Sequence, residues 1–168
     1  MTRGWPLLGS AIFLVLAPGS AAGLVPWWIS GWEMRPAFFP AARLAGALLV
    51  GLGLAALLES FARFALVGFG TPAPVLPTHR LVVSGLYRHV RNPMYLAVTA
   101  LVLGQALLFG DARLLAYAAL LWLAFHLFVL AYEEPTLRRS FPQDYEAFVR
   151  NVPRWLPRLR PWRGEPRP

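Results

Sequence analysis

The chain has no cysteine and no lysine, and only 8 acidic residues among 168. Without cysteine there is no disulfide framework, no thiolate nucleophile and no cysteine-based metal site. Charged residues are 14% of the chain and hydrophobic ones 57%. Soluble domains carry about 25% charge, so this composition rules out a disordered protein and argues against a cytosolic globule. The length leaves room for one domain. All 16 basic residues are arginine and the net charge is +8. A basic chain first suggests nucleic acid, but these arginines flank apolar runs. There they read as topology signals and lipid-headgroup contacts, with no nucleic-acid partner.

What is present in quantity is apolar sequence of membrane-spanning length, about 20 residues per helix. Four stretches are expected to span, at about 5–32, 42–69, 92–110 and 114–132. The first holds Pro18 and Pro26 and ends in Trp27, Trp28 and Trp32, which suit an interfacial belt. Ala21-Ala22-Gly23 is small enough for signal cleavage, but the later spans need a membrane anyway, so the stretch is read as a span. Glu59 and Arg63, four apart in the second stretch, can pair on one helix face. Gly46, Gly51 and Gly53 there permit close helix contact. The expected fold is all-α, a polytopic membrane bundle of about four helices with a C-terminal amphipathic helix.

Four spans put both termini on one side. That side collects 13 arginines and the other keeps Arg35, Arg43 and Arg113. The rich side is expected to be cytoplasmic, in a bacterial inner membrane. Gly110-Asp111-Ala112-Arg113 is a tight turn that makes spans three and four an antiparallel hairpin. The cytoplasmic segment 70–91 begins with proline and glycine, which break any helix. Pro135 is expected to break or kink the chain. Ser140-Phe141-Pro142-Gln143 fits a capping box. Phe141, Tyr145, Phe148, Val149 and Val152 then share one helical face up to Pro153. The rest of 140–168 reads as a poorly ordered tail touching headgroups.

Two polar clusters stand at the cytoplasmic ends of the last two spans. The first is Tyr87-Arg88-His89-Val90-Arg91-Asn92-Pro93-Met94-Tyr95. Pro93 suits the first helical turn, whose amides and the nearby Arg88 and Arg91 favour a carboxylate or other anion. The alternative is that these arginines only set topology. The second cluster is Glu133-Glu134, which the hairpin brings back beside Arg91 and Tyr95. A carboxylate there could hold ribose hydroxyls or balance a cationic ligand, or simply form an interfacial ion pair. His126 is the ionisable residue deepest within a span. Helical spacing puts it on the face of Glu133, where it could serve as an acceptor-side base or be hydrogen-bonded to a neighbouring helix. Gln105 has the same two readings, with helix-to-helix glue favoured. His79 and His89 lie ten apart with no metal-ligand pattern, so no metal is expected, and no phosphate-binding glycine motif appears.

The run from His79-Arg80-Leu81-Val82-Val83-Ser84-Gly85-Leu86-Tyr87 to Arg91-Asn92-Pro93-Met94-Tyr95 resembles the isoprenylcysteine carboxyl methyltransferase and phospholipid methyltransferase family. Glu133-Glu134, Phe141-Pro142-Gln143-Asp144-Tyr145 and Val152-Pro153-Arg154-Trp155-Leu156-Pro157 continue the likeness in order. The resemblance implies S-adenosylmethionine as methyl donor and a lipophilic or membrane-associated acceptor. It implies cofactor contacts from His79, Arg80, Leu81, Val82, Tyr87, Asn92, Pro93, Met94, Tyr95 and Glu133, beside the Arg91 and Glu134 already noted. Two departures stand out. The family's histidine before the proline is Asn92, which binds but cannot titrate. The arginine that prenylcysteine enzymes carry before the acidic pair is missing from Phe125 to Ala131, so that substrate is not assigned. Two other classes remain open: a membrane reductase using NADPH, and a non-enzymatic lipid-binding bundle.

Overall fold

The computed structural model describes residues 16–63 and 81–164. These residues form helices and irregular segments, with no strand among them. A π segment, Ser20–Leu24, leads into α1, Val25–Ser30. Then come α2 (Ala42–Arg63), a 3₁₀ turn (Gly85–Arg88), α3 (Pro93–Phe109) and α4 (Ala112–Phe128). A π turn, Val129–Glu133, joins α4 to α5 (Glu134–Ser140), and α6 is Pro142–Asn151. Residues 5–15 and 64–69 of the expected spans lie outside the described residues.

Among the described residues two helices are long and apolar enough to cross a membrane: α2, with 22 residues, and the continuous helix Ala112–Ser140, with 29. Their outer faces carry leucines that water would not favour. Leu48 and Leu52 on α2 and Leu120 and Leu127 on α4 are all more than half exposed. By contrast α3 is shorter, at 17 residues, and mostly buried between its neighbours. The first expected span is helical from residue 16, and α1 stops at Ser30, where Gly31 turns left-handed at φ 62°.

Close approach of α2 to α3 organises the bundle. A Cβ added at Gly46 would lie 2.6 Å from both the Gly104 carbonyl oxygen and the Leu108 nitrogen. One at Gly53 would lie 3.1 Å from the Ala97 oxygen, whereas Gly51 faces open space. Only two of the three glycines flagged in the sequence therefore make the contact; the third sits on the wrong face. Below them Leu57, Phe61, Met94, Ala97, Val98 and Leu101 form one buried cluster. Gln105 is the expected glue: its Nε2 donates to the Ala22 oxygen at 2.7 Å and its Oε1 accepts from Trp32 Nε1 at 3.0 Å.

The α3–α4 turn is built as expected around Gly110, at φ 70°. Asp111 caps α4 by accepting from the Arg113 backbone N–H at 2.9 Å. Its side chain also meets Arg113 Nη2 at 2.6 Å and Arg35 Nε at 3.4 Å. The hydrogen bonds from Arg113 hold the Asp111 carboxyl below its ordinary range despite burial.

Three expectations fail. The chain does not break at Pro135, because the π turn already bonds five residues back, Glu134 N–H to Val129 oxygen. The ladder has shifted where proline has no N–H to give. The capping box does not form: Ser140 ends α5, Phe141 makes a one-residue corner and Pro142 opens α6. Nor is the tail after Val152 loose. Pro153 accepts from Arg91 N–H at 2.9 Å, His89 from Arg158 N–H at 3.0 Å and Arg88 from Trp162 N–H at 2.9 Å. The segment 152–162 is a strap laced across the 88–91 loop. The apolar face of α6 does form, and Tyr145, Phe148 and Val152 pack on Leu81 and Val83.

The glycine contact is directly testable. Gly46→Ala is expected to cost about 1–3 kcal/mol, since backbone rather than side chain must move, while Gly51→Ala is neutral or slightly stabilising. Melting temperatures of the purified variants in detergent check this, and equal tolerance at both positions would contradict it.

Candidate functional site

The α3–α4 hairpin returns Glu133 and Glu134 to the start of α3. Neighbours on a helix point about 100° apart, so the two carboxylates go to different partners. Glu133 Oε2 accepts from the Tyr95 hydroxyl at 2.7 Å. Glu134 meets Arg91 Nη1 at 3.1 Å, Arg154 Nε at 2.6 Å and Arg138 Nη1 at 3.7 Å. The Glu134 side chain is 5% exposed and that of Arg91 is 9%. Arg91 also reaches the Tyr145 hydroxyl at 3.4 Å. Burial pushes the Tyr145 phenol up, and the Glu134 carboxylate adds to this.

Around Glu133 the walls are aromatic. The Tyr95 and Phe125 rings lie 4.7 Å apart. Tyr87 is buried on the 3₁₀ turn and hydrogen-bonds Ser60 of α2. Burial pushes its phenol well above the ordinary range, with the Glu133 and Glu59 carboxylates both adding to the effect. Tyr87, Tyr95, Glu59 and Glu133 thus face one region at the site end of α2, α3 and α4.

Among the described residues three buried side-chain atoms have no hydrogen-bond partner: Arg91 Nε, Ser84 Oγ and Glu59 Oε2. Such groups normally find partners in folded proteins. Glu59 pairs with Arg63 as the sequence suggests, Nε to Oε1 at 2.8 Å, which leaves its second oxygen idle. Gly85, at φ 54°, sits against this carboxylate so closely that any side chain would collide with Glu59 Oε1.

The expected site residues divide accordingly. Tyr87, Tyr95 and Glu133 converge, and Arg91 and Glu134 form the adjoining ion network. Pro93 is buried at the start of α3 as foreseen. Asn92 does not cap α3; its Nδ2 donates instead to the Arg154 oxygen at 3.2 Å. Leu81 packs on α6 and Met94 in the α2–α3 cluster. Val82 is buried. His79 and Arg80 lie outside the described residues.

His126 is not on the Glu133 face. The π turn inserts one extra residue and rotates Glu133 by about 100°, so Phe125, not His126, shares its side. The His126 ring stacks on Trp122 at 5.2 Å, and its Nδ1 accepts from Trp155 Nε1 at 3.0 Å.

The sequence reading missed Glu59, Ser84, Arg154 and Trp155 as members of this region. Ser84 stood within the motif as a spacer, beside the Gly85 of its glycine-x-tyrosine. Arg154 and Trp155 belong to the family-like ending, but their composition reads as tail and carries no sign of these partners.

The described residues hold no cluster of metal-ligating side chains. The phospholipid methyltransferase family model matches residues 41–144, from the start of α2 into α6. The chain belongs to this family. No curated protein and no solved structure matches it. Membership sets the class of chemistry as methyl transfer, and the two long apolar helices agree with a membrane-embedded member.

Removing the Glu134 charge strands a buried guanidinium. Glu134→Gln is therefore expected to lose about 3–5 kcal/mol of stability, while Glu133→Gln, which keeps its bond to Tyr95, stays near wild type. Unfolding midpoints in detergent distinguish the two, and equal midpoints would contradict separate roles.

Proposed function

We propose that the chain is a four-span membrane methyltransferase that uses S-adenosylmethionine and methylates a lipophilic acceptor. In this reading its termini, the 70–91 loop and the site are cytoplasmic. The observation that carries it is a set of buried polar atoms with no partner among the described residues, on the elements that also carry Glu133 and Tyr95 to this end of the bundle. Arg91 Nε can donate to a carboxylate, Glu59 Oε2 can accept from an ammonium or hydroxyl, and Ser84 Oγ can do either. Glu133 suits ribose hydroxyls or a cationic centre, and Tyr87, Tyr95 and Phe125 offer aromatic walls. S-adenosylmethionine has a carboxylate, an ammonium, a ribose, an adenine and a sulfonium, and when bound it supplies an electrophilic methyl group.

By resemblance, His79, Arg80, Leu81, Val82, Asn92, Pro93 and Met94 complete the donor pocket. Leu81 and Met94 would then act through the shape of its floor, since their side chains pack elsewhere. The chain's contribution to rate is alignment and exclusion of water.

An acceptor with a hydrocarbon tail has a place to lie. A cavity of about 580 Å³ runs between residues 18–23, α2 and α3, lined by Leu54, Leu57, Leu58, Leu101 and Leu108 among others. On α2 its lining runs as far as Leu57 and Leu58, the two residues before Glu59.

Equilibrium binding to the detergent-purified protein tests the reading. Saturable S-adenosylmethionine binding is expected, weakened at least about tenfold in Glu133→Gln by loss of one charged contact. Binding of NADPH with none of S-adenosylmethionine would replace this reading with a reductase. Binding of neither by folded protein would leave a structural bundle.

A further inference from the structure

The strap reaches a place its charge alone would not explain. Arg154 sits on Glu134 at the polar end of the long helix, yet the next residue, Trp155, hydrogen-bonds His126. His126 lies seven residues before Glu133, about 10 Å back along the helix toward its apolar centre at 1.5 Å per residue. Trp155 also lies 5.8 Å from Trp122, a further turn in. The neighbours on this part of α4, Leu123 and Leu127, are exposed leucines of the kind that face lipid. At Trp155, then, the strap passes the charged end of the bundle and rests on its lipid-facing side.

Two leucines of the strap point away from the protein. Leu156 is 80% exposed and Leu159 98%. They cannot be stray tail residues seeking a core, because the backbone bonds of Pro153, Arg158 and Trp162 to the 88–91 loop fix the segment. Around them the sequence from Ala147 to Gly164 has five arginines and no acid. Arg154 serves Glu134 and Arg158 Nη1 donates to the Asn151 oxygen, while Arg160 and Arg163 are exposed.

We propose that the strap is a membrane contact, with Leu156 and Leu159 entering the lipid of an anionic bilayer surface and Arg160 and Arg163 meeting its headgroups. Exposed leucines next to arginines at the depth of the bilayer boundary match such a surface in both polarity and sign. The same rigid segment carries Arg154, so contact with lipid also holds the arginine that secures Glu134. This inference is independent of which donor or acceptor the site takes.

The absence of native cysteine makes the test clean. Leu156→Cys and Leu159→Cys are each labelled with a polarity-sensitive fluorophore in the full chain. The proteins are reconstituted into vesicles of phosphatidylcholine, alone or with one third phosphatidylglycerol. In the anionic vesicles both labels are expected to shift to blue emission and to be quenched by nitroxides on the lipid chains. The shift is expected to shrink in pure phosphatidylcholine and in the Arg160→Gln/Arg163→Gln background. Water-like emission in anionic vesicles would overturn the proposal. Equal immersion in both vesicle types would overturn its electrostatic basis. Neither readout needs donor binding or turnover, so failure here is separable from failure of the methyltransferase reading.

Discussion

One buried carboxylate holds the site end of this molecule together. Glu134 is reached by Arg91 from the loop before α3, by Arg138 from α5 and by Arg154 from the strap. A charge so deeply enclosed is tolerable only when paired and hydrogen-bonded. The sequence supplies three guanidiniums from three segments, so each segment is registered against the others. The strap then closes over the 88–91 loop, and α6 seats its aromatic face on Leu81 and Val83. The opposite end is held by close backbone contact at Gly46 and Gly104 and by the Asp111 cap.

Because Glu134 takes the arginines, Glu133 is left for other work. It faces Tyr95 and an aromatic region, while a separate apolar cavity runs along α2 and α3. Two identical side chains in sequence thus acquire different roles from the 100° between neighbours on a helix. In the proposed reading the polar region takes the methyl donor and the apolar cavity takes the tail of the acceptor.

Much of this was readable from the residues. The turn at Gly110–Arg113 fixed the hairpin, and the hairpin fixed the meeting of Arg91, Tyr95 and the acidic pair. The periodicity of Tyr145, Phe148 and Val152 gave α6 its buried face. What could not be read was a matter of phase and of long-range partners. A single π turn moved His126 off the Glu133 face, and no local pattern announces such a turn. It also let the helix run through Pro135. The role of Arg154 depends on a fold-back of some 20 residues, and the strap's order rests on backbone bonds that its proline- and arginine-rich composition conceals.

Backbone hydrogen exchange in Glu134→Gln tests the central claim most directly. If the buried carboxylate secures the strap and loop, the amides of Arg91, Arg158 and Trp162 lose protection together while those of α2 and α3 keep theirs. Unchanged protection at all three would mean that the strap is held by its own bonds and that Glu134 is not what this end of the molecule depends on.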